Sequence, residues 1–108
     1  MELSNETLLE IFIEGSMELQ WLPNTENSFK AYNPVTKKRV LIARKTITDV
    51  EFPSLKNSYI YELTIAVKTE EWEYTTIRSG DWSSKIDNLM KDLFSAAQHS
   101  TIRWLIEQ

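Results

Sequence analysis

Hydrophobic and polar positions alternate most clearly between Tyr59 and Lys68. Odd-numbered positions there carry tyrosine, leucine, isoleucine and valine, whereas the even-numbered positions include glutamate, threonine and lysine. Because successive side chains of a strand point to opposite faces of a sheet, this two-residue period predicts a β-strand. A four-residue turn over 68–71 then predicts a returning strand with Trp72 and Tyr74 on the same face as the odd-numbered positions.

Three other segments show strand patterns. Residues 17–21 alternate between apolar and polar side chains, a short strand is expected over 29–32, and 38–47 is apolar on both faces at its centre. A strand that is apolar on both faces is typical of the middle of a sheet. Residues 33–37 form a predicted turn, because proline presets φ and asparagine bonds its own backbone. Proline and asparagine at 23–27 indicate a loop.

A helical period follows at 82–98, after Asp81 or Ser83 as the N-cap. Its apolar residues occupy one side of a helical wheel and its charged residues the other. Continued on the same wheel, Ile102 and Ile106 fall on the polar side. This predicts a break in the helix near residue 100, with a short helix or an edge strand beyond it.

The segment 6–14 fits two periods. On a helical wheel its apolar residues share one side and its glutamates the other, and Gly15 follows where a helix C-cap is expected. A strand is the alternative, because Leu9, Ile11 and Ile13 also alternate. We expect the helix.

Together these elements predict an α+β fold: an antiparallel sheet of four to five strands, with an N-terminal helix and one or two C-terminal helices, in two layers. The longest predicted connection is 48–58. No linker, repeat or low-complexity segment divides the chain, so 1–108 is expected to be a single domain. The C-terminal helix is expected to cover the sheet face that carries Tyr61, Leu63, Ile65, Trp72 and Tyr74.

Composition narrows the class of protein. The chain is 42% hydrophobic and 26% charged, as in globular rather than disordered proteins, and it has no cysteine. Without cysteine there is no disulfide and no thiolate metal site, and a reducing compartment fits best. The first residues lack the pattern of a secretory signal, and no apolar run reaches the ~20 residues of a membrane helix. The sequence therefore predicts a cytoplasmic protein without a membrane segment.

Positive charge is concentrated in one part of the chain, although the net charge is −4. Residues 1–29 hold six acids and no Lys or Arg, whereas 30–45 hold six cations and no acid. On two adjacent strands and their turn, these cations form a candidate binding patch for nucleic acid or an acidic protein. Alternatively, they only keep strand ends soluble and are neutralised by the preceding acids. The residues of this basic island are Lys30, Lys37, Lys38, Arg39, Arg44 and Lys45.

Catalytic patterns are incomplete. The single histidine, His99, follows Ser95 by one helical turn, but no acid is placed to orient its ring, and a histidine at a helix C-terminus is favoured by the helix dipole. Asp49, Glu51, Glu62 and Lys68 are the candidates for a metal-dependent nuclease site, in which a strand ending in acid-x-Lys would place the acid on the metal and the lysine on the attacking water. The position two before Lys68 is Ala66, so this arrangement is incomplete. We therefore predict no catalytic residue, no metal site and no cofactor.

The function expected from the sequence is that of a binding or accessory protein, not an enzyme. It is expected to act through a protein surface, with a second copy of the chain as one option for the partner. The candidate interface is the apolar segment near the C-terminus, represented by Ile102, Trp104 and Ile106. The alternative function is nucleic-acid contact through the basic island. No motif identifies a family.

Overall fold

Two helices flank five strands along the chain, which confirms the predicted α+β fold. The computed structural model describes residues 4–46 and 59–108. The predicted connection 48–58 and the candidate residues Asp49 and Glu51 therefore lie outside the described residues. The elements are α1 (Asn5–Ser16), β1 (Leu22–Thr25), β2 (Ser28–Asn33), β3 (Lys38–Thr46), β4 (Tyr59–Lys68), β5 (Trp72–Arg78) and α2 (Ser84–Glu107).

The five strands form one antiparallel sheet in chain order, β1-β2-β3-β4-β5. The predicted turn between β2 and β3 is confirmed, because the Asn33 side chain accepts hydrogen bonds from the backbone N–H of Val35 (3.0 Å) and Thr36 (3.3 Å). Lys37 completes that turn with φ of 58°, a left-handed conformation that turns often require.

The strand predicted at 17–21 is wrong, and the loop predicted at 23–27 is confirmed only at 26–27, where a turn joins β1 to β2. Residues 18–21 are irregular, and β1 begins only at Leu22. The apolar side chains of the segment nevertheless pack on the core, and the Trp21 indole donates a hydrogen bond to the Ser16 carbonyl (3.0 Å). Burial of alternate residues therefore arises here without a strand.

The register between β4 and β5 also differs from the prediction. The turn has three residues, so Lys68 lies opposite Trp72, Ala66 opposite Tyr74 and Leu63 opposite Ile77. A shift of one residue moves every side chain to the other face of a sheet. Trp72 and Tyr74 therefore leave the predicted core.

One face of the sheet carries the core. This covered face consists of the odd-numbered positions of β2, β4 and β5 and the even-numbered positions of β3, which the register aligns across the strands. Ile42 and Leu63, which lie opposite each other at its centre, are fully buried. The helices pack on this face, and together they give the two layers.

The segment 6–14 is part of a helix, as expected. The hydroxyl of Ser4 caps α1 by accepting from the backbone N–H of Thr7 (3.1 Å), which satisfies one of the free donors of the first turn. Leu9 and Ile13 enter the core. Gly15 lies within the last turn rather than at the C-cap, so α1 runs slightly further than the wheel predicts.

The second helix begins at Ser84 after a Ser83 cap and continues without a break to Glu107, so the predicted break is wrong. Its buried side follows a regular helical spacing, in which the small polar side chain of Thr101 takes the buried position beyond Ala97. The helix can therefore continue while Ile102 and Ile106 stay outside. Trp82, expected on the apolar side of this helix, precedes it and is 38% exposed.

Contacts at two positions along α2, Phe94 and Ser100, hold the helix in place. The Phe94 ring meets Phe29 of β2 and Tyr61 of β4 edge to face, at centroid distances of 5.3 and 5.7 Å. Further along, the Ser100 hydroxyl accepts from the backbone N–H of Trp21 (3.0 Å). On the other face of the sheet, none of the described residues forms a helix layer. Within the described residues, neither helix is both long enough and apolar enough to cross a membrane.

Candidate binding surface on the open sheet face

The side of the sheet away from the helices forms the candidate site. We call it the open face; it consists of the even-numbered positions of β2, β4 and β5 and the odd-numbered positions of β3. Within the described residues no helix packs on it. The antiparallel register places directly opposite residues about 5 Å apart on the same face, so the side chains form rows across the strands.

A shallow trough of about 780 Å³ runs over this face. Its floor is made of small or half-buried side chains at the centre of the sheet, among them Leu41, Thr64 and Ala66. Two tyrosines lie at its margins: Tyr32 is 52% exposed and Tyr74 is 68% exposed. Because β2 and β5 are three strand spacings apart, the two rings are separated by roughly 14 Å. The trough therefore has an apolar floor between aromatic walls.

Arg39 crosses the floor of the trough. It shares a row with Tyr32, Ala66 and Tyr74, and the small side chain of Ala66 leaves room for the arginine to pass over β4. Its guanidinium carbon lies 4.3 Å from the ring centroid of Trp72 on β5. Stacking on an aromatic ring holds the planar cation in place while its N–H donors remain available to a ligand.

The open face is electropositive. Its described residues comprise five cations and one carboxylate, Glu62. Glu62 pairs with Lys45 at 3.1 Å and with Arg78 at 3.3 Å. The other three cations, Lys30, Arg39 and Lys68, have no carboxylate within ion-pair distance among the described residues.

The remainder of the chain has the opposite charge. Among the described residues, the open face holds five of the 11 Lys and Arg and one of the 13 Asp and Glu, so six cations and twelve acids lie elsewhere. The described part of α1 illustrates the asymmetry, since its charged residues are Glu6, Glu10 and Glu14. An anion therefore meets attraction on one side of the molecule and repulsion over much of the rest.

The structure divides the basic island instead of gathering it. Lys30, Arg39 and Lys45 lie on the open face, and Lys37 lies in the exposed turn. Lys38 points to the covered face, where its ammonium is 5.7 Å from the Phe12 ring centroid. Because successive side chains of a strand point to opposite faces of the sheet, cations that are neighbours in sequence lie on different faces. A count of charges along the sequence does not take this into account.

Arg44 has a structural role. Its guanidinium carbon lies 4.4 Å from the ring centroid of Tyr59 and 4.8 Å from that of Phe94, and its Nη2 donates to the Asn27 side chain at 3.5 Å. It therefore joins β3 to β4 and α2 on the covered face, on the side of the sheet opposite to Lys30 and Arg39.

The candidate interface near the C-terminus is also divided. Ile102 is 48% exposed and Ile106 is 78% exposed, whereas Trp104 is half-buried. Two residues along a helix correspond to a rotation of about 200°, so Trp104 points away from both isoleucines. Leu105, which is 55% exposed, joins the isoleucines instead.

Among the described residues considered for catalysis, His99 and Ser95 are both exposed on α2, and neither lines the trough, whose lining includes no histidine, aspartate or glutamate. His99 lines a second, open cavity of about 390 Å³ together with Glu18 and Ser100. Within the described residues there is also no cluster of three or more His, Asp or Glu side chains suited to a metal ion.

Sequence reasoning missed the aromatic part of the open face, because it assigned Trp72 and Tyr74 to the core. The available signal was Ala66, a small residue between Thr64 and Lys68 on the more polar face of β4.

Comparison with protein-family models, with curated proteins and with solved structures finds no match for this chain. Any inference about the function of the protein therefore depends on the geometry and charge of the open face.

Proposed function

We propose that the protein is a non-catalytic binding protein, and that its open face binds an acidic, partly apolar segment of a partner protein. The observation that carries this proposal is the charge separation: the described residues of the open face comprise five cations and one carboxylate, in a chain whose net charge is −4. Complementary potentials speed encounter and fix orientation, so a localised positive face on an acidic protein favours an acidic partner.

The floor of the trough defines the rest of the ligand. Leu41 and Ala66 offer apolar surface, and the exposed rings of Tyr32 and Tyr74 add aromatic contact area at its margins. Apolar side chains of the partner would lie on this floor, while its carboxylates pair with Arg39 and Lys30. Tyrosine and arginine side chains contribute strongly to protein interfaces. Tyrosine does so because it buries a large area with little loss of rotamer freedom.

Single-stranded nucleic acid is the second candidate, favoured by the Arg39–Trp72 stack and the exposed tyrosine rings, on which bases can stack. One observation makes it the weaker one. Only Lys30, Arg39 and Lys68 lack a carboxylate partner among the described open-face residues. Affinity for a polyanion depends on the number of phosphates neutralised, which is small here.

The proposal of a non-catalytic binding protein also includes a cytoplasmic location, which is expected from the cysteine-free sequence.

The proposal is tested by selecting binders from a display library of random 20-residue peptides. We expect the selected peptides to combine Asp and Glu with Leu, Ile or Phe. Their affinity should fall by about tenfold or more in the double variant Lys30→Glu/Arg39→Glu, because two attractive charge contacts become repulsive.

The matched control is Lys91→Glu/Arg103→Glu, which makes the same change in net charge on the exposed side of α2. Equal losses in both double variants, or selected peptides without an excess of acids, would contradict the proposal. Fluorescence anisotropy with a 20-nucleotide oligo(dT) over a salt series tests the second candidate. Binding to oligo(dT) that is tighter than to any selected peptide, and lost in Lys30→Glu/Arg39→Glu, would favour nucleic acid.

A further inference from the structure

The two edges of the sheet differ in how well they are protected against pairing. The edge strand β1 has four residues, contains Pro23 and has an irregular register between Pro23 and Thr25. Short length, proline and irregularity are devices that keep an edge from pairing with another chain. The other edge strand, β5, has seven residues, no proline and the β-prone centre Tyr74–Ile77.

We propose that β5 is a self-association edge, which pairs antiparallel with β5 of a second copy of the chain around a two-fold axis at Thr75. This inference is independent of what the open face binds.

The hydrogen bonds of the sheet show which backbone groups of β5 point outward. The backbone N–H of Ser79, directly after β5, donates to the carbonyl of Tyr61 on β4 (2.9 Å). In an antiparallel pair, hydrogen-bonded residues alternate, so Thr75 and Ile77 also direct their N–H and C=O groups to β4. The N–H and C=O groups of Trp72, Tyr74, Thr76 and Arg78 therefore face away from the sheet.

A two-fold axis perpendicular to the sheet restricts the register. This axis places the open faces of both copies on the same side of the joined sheet. A residue can therefore lie opposite a residue of the second copy only if both side chains are on the same face. With Thr75 on the axis, Tyr74 lies opposite Thr76 of the second copy, and Trp72 opposite its Arg78. These are the residues whose backbone groups point outward, so each such pair can exchange two hydrogen bonds. Among the described residues no strand pairs with this edge, and it is complementary to itself.

The side chains fit a second copy as well. Arg78 of one copy comes beside Trp72 of the other on the open face, which is a favourable cation and aromatic pair. Like charges stay apart: the two Glu73 residues are offset by four positions, about 14 Å, and the two Arg78 residues by six, about 20 Å. A symmetric dimer that instead stacked the two open faces would bring two positive surfaces together, which is unfavourable.

The helix layer leaves room for this pairing. Among the described elements, α2 contacts β1, β2, β3 and β4 but not β5. Thr75, on the side of the sheet that carries the helices, is exposed. A second copy can therefore approach β5 without displacing α2, and the two sheets would join into one of ten strands.

The cysteine-free sequence allows a direct test of the register by cross-linking. In the proposed pair the two Thr75 residues form a non-hydrogen-bonded pair with Cα atoms about 4.5 Å apart, a distance that a disulfide can span. We expect Thr75→Cys to form a covalent dimer under mild oxidation. Thr76→Cys and the turn variant Thr36→Cys are the controls and should remain mostly monomeric, because their cysteines are too far from their own copies.

Sedimentation over a concentration series tests the association without cross-linking. Thr75→Lys places two ammonium groups opposite each other only in the dimer, so we expect it to weaken association by about tenfold or more relative to Thr36→Lys. Circular dichroism and thermal melting check that both variants fold. A wild-type chain that is monomeric at all concentrations overturns the proposal. So does a dimer that Thr75→Lys leaves intact and Thr75→Cys does not trap, since that dimer must use another surface, such as Ile102 and Ile106.

Discussion

The two faces of the sheet are built from alternate residues of the same strands, yet they have different surroundings. On the covered face, Ile42 and Leu63 are fully buried beneath the helices. On the open face, Leu41 is half-buried, Tyr74 is 68% exposed, and cations replace much of the apolar content. Stability and ligand contact therefore depend on different members of each pair of neighbouring residues, and mutations one position apart should separate the two properties.

The largest difference is expected between two neighbours on β3. Ile42→Ala removes a fully buried side chain and should lower the free energy of unfolding by about 2–5 kcal/mol, because lost burial and the resulting cavity both contribute. Leu41→Ala changes a half-buried side chain on the open face and should cost about 1 kcal/mol. Urea denaturation measures both. Equal losses would mean that the open face is covered in solution.

An isosteric exchange gives the next effect. Val40→Thr introduces a hydroxyl where the residue is 2% exposed and should cost about 1–3 kcal/mol. Thr64→Val removes a hydroxyl that lies 3.1 Å from that of Thr76 on the open face, and should cost under about 1 kcal/mol. Thermal and urea denaturation of the two variants compare them at almost constant volume. A larger loss in Thr64→Val would show that the polar contact of the open face contributes more than expected.

The smallest contrast concerns two arginines of β3. Arg44→Ala removes the cation between Tyr59 and Phe94 and should lower the free energy of unfolding by about 0.5–2 kcal/mol. Arg39→Ala removes an exposed cation stacked on Trp72; its effect on stability should be smaller, at most about 1 kcal/mol, while it should weaken binding of selected acidic peptides. The pair of variants is compared by denaturation and by peptide titration. Loss of peptide binding in a folded Arg44→Ala protein, with none in Arg39→Ala, would reverse the assignment.

The features that sequence predicts well are those set by local pattern. The two-residue period of β4, the Asx turn at Asn33 and the apolar side of α2 up to Ala97 each depend on residues close together in the chain. Such patterns specify the element regardless of what packs on it, which is why the α+β fold could be predicted.

The register between β4 and β5 depends on one residue of turn length. Residues 68–71 are compatible with a turn of either three or four residues, and only the structure shows that Trp72 pairs with Lys68. That single residue decides whether Trp72 and Tyr74 belong to the core or to the candidate binding surface. The candidate binding face was therefore less predictable than the fold.

The continuation of α2 beyond residue 100 was not predicted, for a different reason. The helical wheel assumes that apolar residues lie inside and polar residues outside, whereas the half-buried Ser100 accepts a hydrogen bond from the backbone N–H of Trp21, and Thr101 is buried. That hydrogen bond joins positions 79 residues apart, which a local pattern does not reveal.

The position of α2 in the chain has a consequence for biosynthesis. Each strand pairs with its neighbour in sequence, so the sheet can assemble progressively as the polypeptide leaves the ribosome. Phe94 and Ser100, which close over β2 and the residue before β1, are translated only after all five strands. A nascent chain thus presents the apolar side of a paired sheet until α2 emerges, and in that interval it is most exposed to aggregation or to capture by chaperones.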